Sequence, residues 1–222
     1  MKKLVALFLL ILSLYLPIYG QDTRVVLITL DGFRWEELFG GADTTLISNK
    51  MYMDNNENNV KDVNALFNRP TGKERRETLL PFIWNTVKNE GTLIGNRWDG
   101  SKMNVANKMY FSYPGYNELL CGFPDDANVN SNDTIYNPNV NILEIANNTP
   151  EYKGRVLAFC SWDCFPYILN VKRSKLEVNA GYMHTLSPCP TKRELFLNTI
   201  EDENPRHWRD ERFDVYTFHY GL

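Results

Sequence analysis

Two apolar stretches decide the fold prediction, RVVLITL at residues 24–30 and RVLAFC at residues 155–160. Neither alternates regularly between polar and apolar side chains, which is typical of strands buried on both faces of a parallel sheet. The predicted helices between and after them span Thr78 to Glu90, Pro114 to Gly122, Asn141 to Ala146, Trp162 to Leu169 and Thr191 to Glu201. Strands that alternate with helices predict an α/β fold with a doubly wound, mostly parallel sheet flanked by helices.

Shorter stretches complete this outline. Residues 92–95 are predicted to form a short strand, whereas the polar residues at 55–60 and 73–76 predict surface loops. The asparagine-rich stretch that begins at residue 128 is predicted to start as a loop.

The composition bounds the class of protein. The chain has 222 residues, of which 43% are hydrophobic and 23% charged, so one or two domains with a real core are expected and bulk disorder is excluded. The net charge is −3, which leaves no basic excess for a nucleic-acid backbone. An anionic substrate would therefore need a local source of positive potential, such as a metal, a helix terminus or a few cations.

The amino terminus predicts export. Lys2 and Lys3 precede an almost wholly apolar run from Leu4 to Tyr19, and Gly20 offers a small residue for cleavage. This pattern predicts a signal peptide at residues 1–20, and the alternative is an uncleaved membrane anchor. We expect the remainder, residues 21–222, to be secreted or periplasmic, without stable insertion in a membrane.

The chain has four cysteines, Cys121, Cys160, Cys164 and Cys189. An exported protein can keep disulfides, and this even count allows two bridges with three possible pairings. Buried or structural cysteines are favoured over a metal site, because the spacing from Cys160 to Cys164 matches no usual zinc motif.

Asp31 directly follows the first predicted strand. In a doubly wound sheet, ligands bind beyond the carboxyl ends of the strands. A carboxylate at that edge is a suitable hard ligand for a divalent metal. The structural alternative is that Asp31 caps a helix starting near Phe33 or forms a turn with Gly32.

Ser112 precedes the predicted helix that begins at Pro114. The plain interpretation is a capping serine. The functional interpretation uses the same position, because a hydroxyl at a helix amino terminus lies beside unpaired N–H groups and the positive end of the helix dipole. That setting favours binding of a phosphoryl group, and a nearby metal would further lower the hydroxyl pKa.

Together the two motifs carry a family resemblance. LITLDGFRWEELF at 27–39, followed by YFSYPGYNELLCGFPDD at 110–126, resembles the alkaline phosphatase superfamily, in particular its type I phosphodiesterase/nucleotide pyrophosphatase branch. The resemblance implies a hydrolase of phosphate mono- or diesters that acts on a small substrate. It makes Asp31 a metal ligand and Ser112 both the nucleophile and a metal contact, with a phosphoserine intermediate and two Zn²⁺ ions in the complete site.

The sequence departs from that family in two respects. Gly115 stands where an asparagine usually helps to hold a phosphate oxygen, and Asn117 would need a different reach. The family's remaining zinc ligands come from later Asp and His motifs, and neither His184, His207 nor His219 lies in such a motif. We therefore expect the amino-terminal portion of a longer enzyme, with an incomplete core and weak or no activity as given.

Two alternatives remain at this point. A sulfatase-like enzyme would need an arginine where Tyr116 stands. A non-catalytic pseudoenzyme or binding domain, with the aspartate and serine as remnants, agrees with the lack of histidine ligands.

Overall fold

The computed structural model describes residues 24–222, and the chain divides into two compact units, residues 1–34 and 35–222. The signal-peptide prediction for residues 1–20 lies outside the described residues. Across residues 24–222, every helix is too short or too polar to cross a membrane.

Residues 24–30 of the first unit form no regular secondary structure, so the strand predicted there is wrong. Their apolar side chains are exposed, with Val25 88% and Leu27 56% accessible. A strand needs a second strand to pair with its N–H and C=O groups, and no partner is found for this segment within the described residues. The chain then turns at Asp31 and Gly32, where Gly32 has a φ of 66° that glycine adopts without steric cost.

The amino-terminal part of the second unit is helical. Its α-helices are α1 (Trp35–Gly40), α2 (Thr44–Ile47), α3 (Glu57–Phe67), α4 (Gly72–Leu79) and α5 (Lys88–Glu90), with 3₁₀ turns at Lys50–Tyr52 and Arg97–Asp99 and a π-helix at Ile83–Val87. The loops predicted at 55–60 and 73–76 are wrong, because these polar residues lie largely in α3 and α4, which Asn56 and Thr71 cap. The strand predicted at 92–95 is not formed.

The helix predicted from Thr78 onward is divided in two. Thr78 lies inside α4 rather than at a helix start. Helical backbone resumes at Pro81 and runs through the π-helix into α5. Trp84 anchors this second piece, because its indole N–H donates to the Leu38 carbonyl oxygen at 3.0 Å.

The carboxyl-terminal part contains the sheet. In chain order its elements are α6 (Ser112–Cys121), α7 (Ile142–Asn148), β1 (Leu157–Cys160), α8 (Phe165–Ile168), α9 (Val171–Ser174), β2 (Glu177–Ala180), α10 (Lys192–Glu203) and α11 (Asp214–Gly221). β1 and β2 are parallel, and the register pairs Leu157 with Glu177 and Cys160 with Ala180. The strand predicted at 155–160 is confirmed as β1, whereas β2 had no prediction.

The two faces of this sheet differ. Ala158 and Cys160 of β1, with Val178 and Ala180 of β2, pack into the hydrophobic core, to which α8 contributes Ile168. The opposite face is only partly covered, because Leu157 is 52% exposed and Phe159 is 37% exposed, whereas Asn179 is buried. The mixed α/β class with a parallel sheet is therefore confirmed, but within residues 24–222 that sheet has two strands, so a doubly wound core is not confirmed.

The asparagine-rich loop before α7 is held in place by Arg173 of α9. The Arg173 guanidinium donates to the carbonyl oxygens of Asn137, Pro138 and Asn139 at 2.6–3.1 Å. It also forms an ion pair with the buried Glu144 at 2.8 Å. This clamp keeps the loop that follows α6 against the core.

Candidate functional site

Ser112 is the first residue of α6, two positions ahead of the predicted start. Phe111 occupies the N-cap position with extended backbone angles, φ −121° and ψ 152°, and makes no side-chain cap. The helix ends at Gly122, whose φ of 82° lets its N–H reach the Glu118 carbonyl oxygen at 2.9 Å. The helix prediction is confirmed, and it places the Ser112 hydroxyl in the first turn.

The first-turn N–H groups of α6 are engaged by residues other than Ser112. Asn132 Oδ1 accepts the Tyr113 N–H at 3.0 Å, and the Phe111 carbonyl oxygen accepts the Gly115 N–H at 3.3 Å. The residue between them is a proline, which has no N–H. Among residues 24–222, no hydrogen bond involves the Ser112 hydroxyl. Ser112 therefore does not cap α6, and its hydroxyl is available for chemistry.

Tyr113 fixes this first turn to the core. Its side chain is buried, and its hydroxyl lies 2.8 Å from the carbonyl oxygen of Ile135 and 3.2 Å from that of Tyr167. Burial raises the pKa of Tyr113 well above its ordinary value, so the ring stays neutral and its hydroxyl remains a donor. A rigid anchor next to Ser112 suits a residue that must meet a substrate in one geometry.

The solvent side of the same turn is open. A Cβ atom added at Gly115 would meet nothing within 4 Å. Tyr110 is 98% exposed and has a φ of 52°, which is a conformation that bulky residues rarely adopt. Phe111 is also exposed. Two exposed aromatic residues thus come directly before Ser112, and the space at Gly115 in the same turn is unfilled.

Two asparagines have different roles near this site. Asn117 is fully buried, and its Oδ1 accepts hydrogen bonds from Asn137 and Asn139 at 3.1 Å each, so it is committed to the core. Asn132 is exposed, and its amide nitrogen has no hydrogen-bond partner among the described residues. Sequence reasoning missed Asn132, because no spacing signal links it to Tyr113, which lies 19 residues earlier in the first turn of α6.

Asp31 lies in the turn that follows residues 24–30 and is exposed. It does not cap α1, which begins at Trp35. Within the described residues, no hydrogen bond or ion pair engages its carboxylate. Asp31 belongs to the first unit and Ser112 to the second. Residues 24–222 thus leave both side chains without a hydrogen bond or ion pair, each in its own unit.

The described residues do not form a zinc site. A structural or catalytic zinc ion generally takes roughly three or four protein ligands, and residues 24–222 contain no group of three or more His, Cys, Asp or Glu that could hold a metal. The histidines make other contacts: His184 Nε2 lies 3.0 Å from Asp202 Oδ1, His219 Nδ1 lies 2.8 Å from an Arg193 guanidinium nitrogen, and His207 packs edge-on against Trp208.

All four cysteines are free thiols in the structure, so none of the possible disulfide pairings is formed. Cys160 and Cys164 are buried, and burial raises the pKa of each thiol to about 12. Thiols in that state are poor nucleophiles and poor metal ligands. These two residues therefore act as core side chains, as favoured from the sequence.

Comparisons of the chain with protein-family models, curated proteins and solved structures find no match.

Proposed function

We propose that the chain supplies the nucleophile and one metal-binding carboxylate of a hydrolase that cleaves phosphate mono- or diesters through a phosphoserine intermediate. Ser112 is the proposed nucleophile, and Asp31 is the proposed metal ligand. The observation that carries the proposal is the Ser112 hydroxyl at the start of α6, which makes no hydrogen bond within residues 24–222, while Asn132 accepts the Tyr113 N–H. A serine hydroxyl that residues 24–222 leave without a hydrogen bond is available to a substrate.

The proposed reaction has two displacements. Ser112 Oγ loses its proton and forms a bond to phosphorus, while the bond from phosphorus to the substrate alcohol breaks and that alcohol takes up a proton. In the second, the water oxygen forms a bond to phosphorus and the bond from phosphorus to Ser112 Oγ breaks. Phosphate, or its monoester from a diester, leaves, and Oγ takes up a proton released by the water. The positive end of the α6 dipole lies where negative charge gathers on the phosphoryl oxygens, which is the main demand of phosphoryl transfer.

Asn132 is the proposed contact for a phosphate oxygen. It would take the role of the family's asparagine, whose position Gly115 occupies in this chain. Its Oδ1 is held by the Tyr113 N–H at 3.0 Å, so the Nδ2 donor of the same amide has a defined position. That donor is unengaged within the described residues and lies beside the first turn of α6. An aspartate at this position would keep the acceptor for Tyr113 but would repel a phosphate.

Zinc belongs to the proposal only in part. A bound divalent cation lowers the pKa of a coordinated hydroxyl and offsets phosphate charge. Asp31 offers one oxygen ligand in the first unit and Ser112 one in the second, and residues 24–222 contain no group of three or more His, Cys, Asp or Glu that could hold a metal. We therefore assign no step of the reaction to zinc.

The finer fold and the location are part of the same proposal. We propose a doubly wound sheet of the alkaline phosphatase superfamily type, larger than the two strands of β1 and β2. The basic and apolar residues 1–20 support a cleaved signal peptide and a secreted or periplasmic protein.

The test is hydrolysis of p-nitrophenyl phosphate and bis-p-nitrophenyl phosphate by the full-length gene product, with zinc added in steps. Ser112→Ala should lower turnover by at least about 1,000-fold, because a covalent intermediate needs the nucleophile. Acid-quenched wild type should carry phosphate on residue 112. The matched control is Ser48→Ala, which changes an exposed serine outside α6 and should leave the rate unchanged. Equal rates in wild type and Ser112→Ala would reject the assignment.

A non-catalytic binding domain is the second candidate, and the histidine contacts favour it. His184, His207 and His219 each contact another side chain, and no ligand group of three is formed among the described residues. Phosphoserine formation and the binding of inorganic phosphate distinguish the two candidates. A binding domain would form no phosphoserine at any zinc concentration and would bind inorganic phosphate equally well as wild type and as Ser112→Ala.

A further inference from the structure

The partly covered face of the sheet borders a cavity of about 290 Å³. Leu157 and Phe159 of β1 and Glu177 and Asn179 of β2 line it together, because side chains two apart in a strand lie on one face and the register pairs these residues across the two strands. The loop at 185–188, α10 and α11 complete the lining with Thr185, Leu186, Ser187, Pro188, Glu194 and Tyr220. This volume is near the lower end for pockets that hold small ligands, roughly 300 Å³.

Several residues that line the cavity are apolar. Leu157 is 52% exposed and Phe159 is 37% exposed, although both are strand residues of the type that the rest of the sheet buries. Leu186 and Pro188 add aliphatic surface, and Tyr220 adds a second aromatic ring. These apolar residues could bury the short hydrocarbon body of a ligand. The face of an aromatic ring also attracts cations.

The cavity lining also includes two carboxylates, those of Glu177 and Glu194. Thr185 Oγ1 donates to Glu194 at 2.7 Å, and the Thr191 N–H donates to it at 2.7 Å. These hydrogen bonds hold the pKa of Glu194 below its ordinary value, so this side chain is ionised at neutral pH. Glu177 is exposed, and no hydrogen bond or ion pair involves its carboxylate within residues 24–222.

No lysine, arginine or histidine lies among the residues that line the cavity. The nearest buried cation is Arg212, which donates to Asn179 Oδ1 at 2.6 Å and lies 3.8 Å from Glu201, so its charge is already matched. The cavity therefore presents two negative charges and several apolar side chains. Anionic ligands are repelled, and a hydrated inorganic cation would leave the apolar residues without a contact.

We propose that this cavity binds a small organic ammonium ion with a short apolar body. The cationic nitrogen would lie between Glu177 and Glu194, and the hydrocarbon would pack on Leu157 and Phe159. This site involves neither Ser112 nor Asp31, so it stands or falls independently of the proposed phosphate-ester chemistry.

The experiment uses three ligands of the same length and different charge: butylammonium, 1-butanol and butanoate. Binding is followed by the amide chemical shifts of residues 157–160, 177–180 and 185–188 in the full chain. Butylammonium should bind saturably, at least about tenfold more tightly than 1-butanol, and butanoate should not bind. Added salt should weaken the binding of butylammonium alone.

Glu177→Gln keeps the shape of the side chain and removes its charge. We expect it to weaken butylammonium binding by about fivefold and to leave 1-butanol binding unchanged. The matched control is Glu203→Gln, an exposed glutamate at the end of α10 that does not line the cavity. The proposal is overturned if butylammonium does not saturate, if 1-butanol or butanoate binds equally well, or if both glutamate variants behave alike.

Discussion

The starts of α6 and α10 show two ways of satisfying a helix amino terminus. At α10, Thr191 accepts the Glu194 N–H and Glu194 accepts the Thr191 N–H at 2.7 Å, which forms a complete capping box within four residues. At α6, the first hydroxyl belongs to Ser112 and makes no cap, and Asn132 supplies the acceptor from a distant loop. A locally satisfied helix start has no spare hydroxyl, whereas a start satisfied from outside leaves its serine free.

The largest effect on stability is expected at α10. Thr191→Ala removes the acceptor of the capping box and should lower the free energy of unfolding by about 1–2 kcal/mol. Thr191→Ser retains the acceptor and serves as the control. Urea denaturation of the three proteins measures the difference, and a loss below about 0.5 kcal/mol would show that the box does not stabilise this helix.

A smaller loss is expected when the external cap of α6 is removed. Asn132→Ala leaves the Tyr113 N–H without its acceptor and should lower the free energy of unfolding by about 1 kcal/mol. Asn132→Asp keeps an acceptor and should stay within about 0.5 kcal/mol of wild type, as should Ser112→Ala. If Ser112→Ala instead costs as much as Asn132→Ala, the serine does hold the helix and the contrast with α10 fails.

The smallest effect is a difference in pH dependence. The Thr191 N–H and the Thr185 and Thr191 hydroxyls bind the ionised form of Glu194 and lower its pKa from the ordinary value of 4.5. The folded state therefore takes up its proton at lower pH than the unfolded state, so this contribution is present above the unfolded pKa and is lost as the pH falls through the folded pKa.

Glu194→Gln has no such proton to take up. Its stability should fall less steeply than that of wild type between about pH 5 and pH 3, as measured by urea midpoints at each pH. Glu203→Gln, which changes an exposed glutamate at the end of α10, is the control. Identical slopes for wild type and Glu194→Gln would mean that the capping carboxylate does not contribute.

The two apolar stretches of the sequence show why composition predicts only part of a fold. Both RVVLITL at 24–30 and RVLAFC at 155–160 have the residue types of a buried strand. β1 forms in the second stretch because Glu177–Ala180 pairs with it and its Ala158 and Cys160 meet the core. The first stretch finds no partner within the described residues and stays exposed. β2 itself, EVNA, has no apolar run, so only its pairing with β1 identifies it as a strand.

In the candidate site, too, neighbouring residues predict some features and long-range contacts decide the others. The position of Ser112 at a helix start and of Asp31 at a turn could be read from a few neighbouring residues. The engagement of Asn117 in the core and of Asn132 at α6 could not, because hydrogen bonds between residues far apart in the chain decide both.

Neighbouring residues alone settle the capping box at Thr191, the glycine stop at Gly122 and the helical spacing of α6, because the hydrogen bonds and backbone angles involved span a single turn. Long-range folding decides which strand is paired, which polar group is buried and which hydroxyl is left free. Those outcomes depend on contacts between segments that are far apart in the chain. The residues around each segment do not specify these contacts.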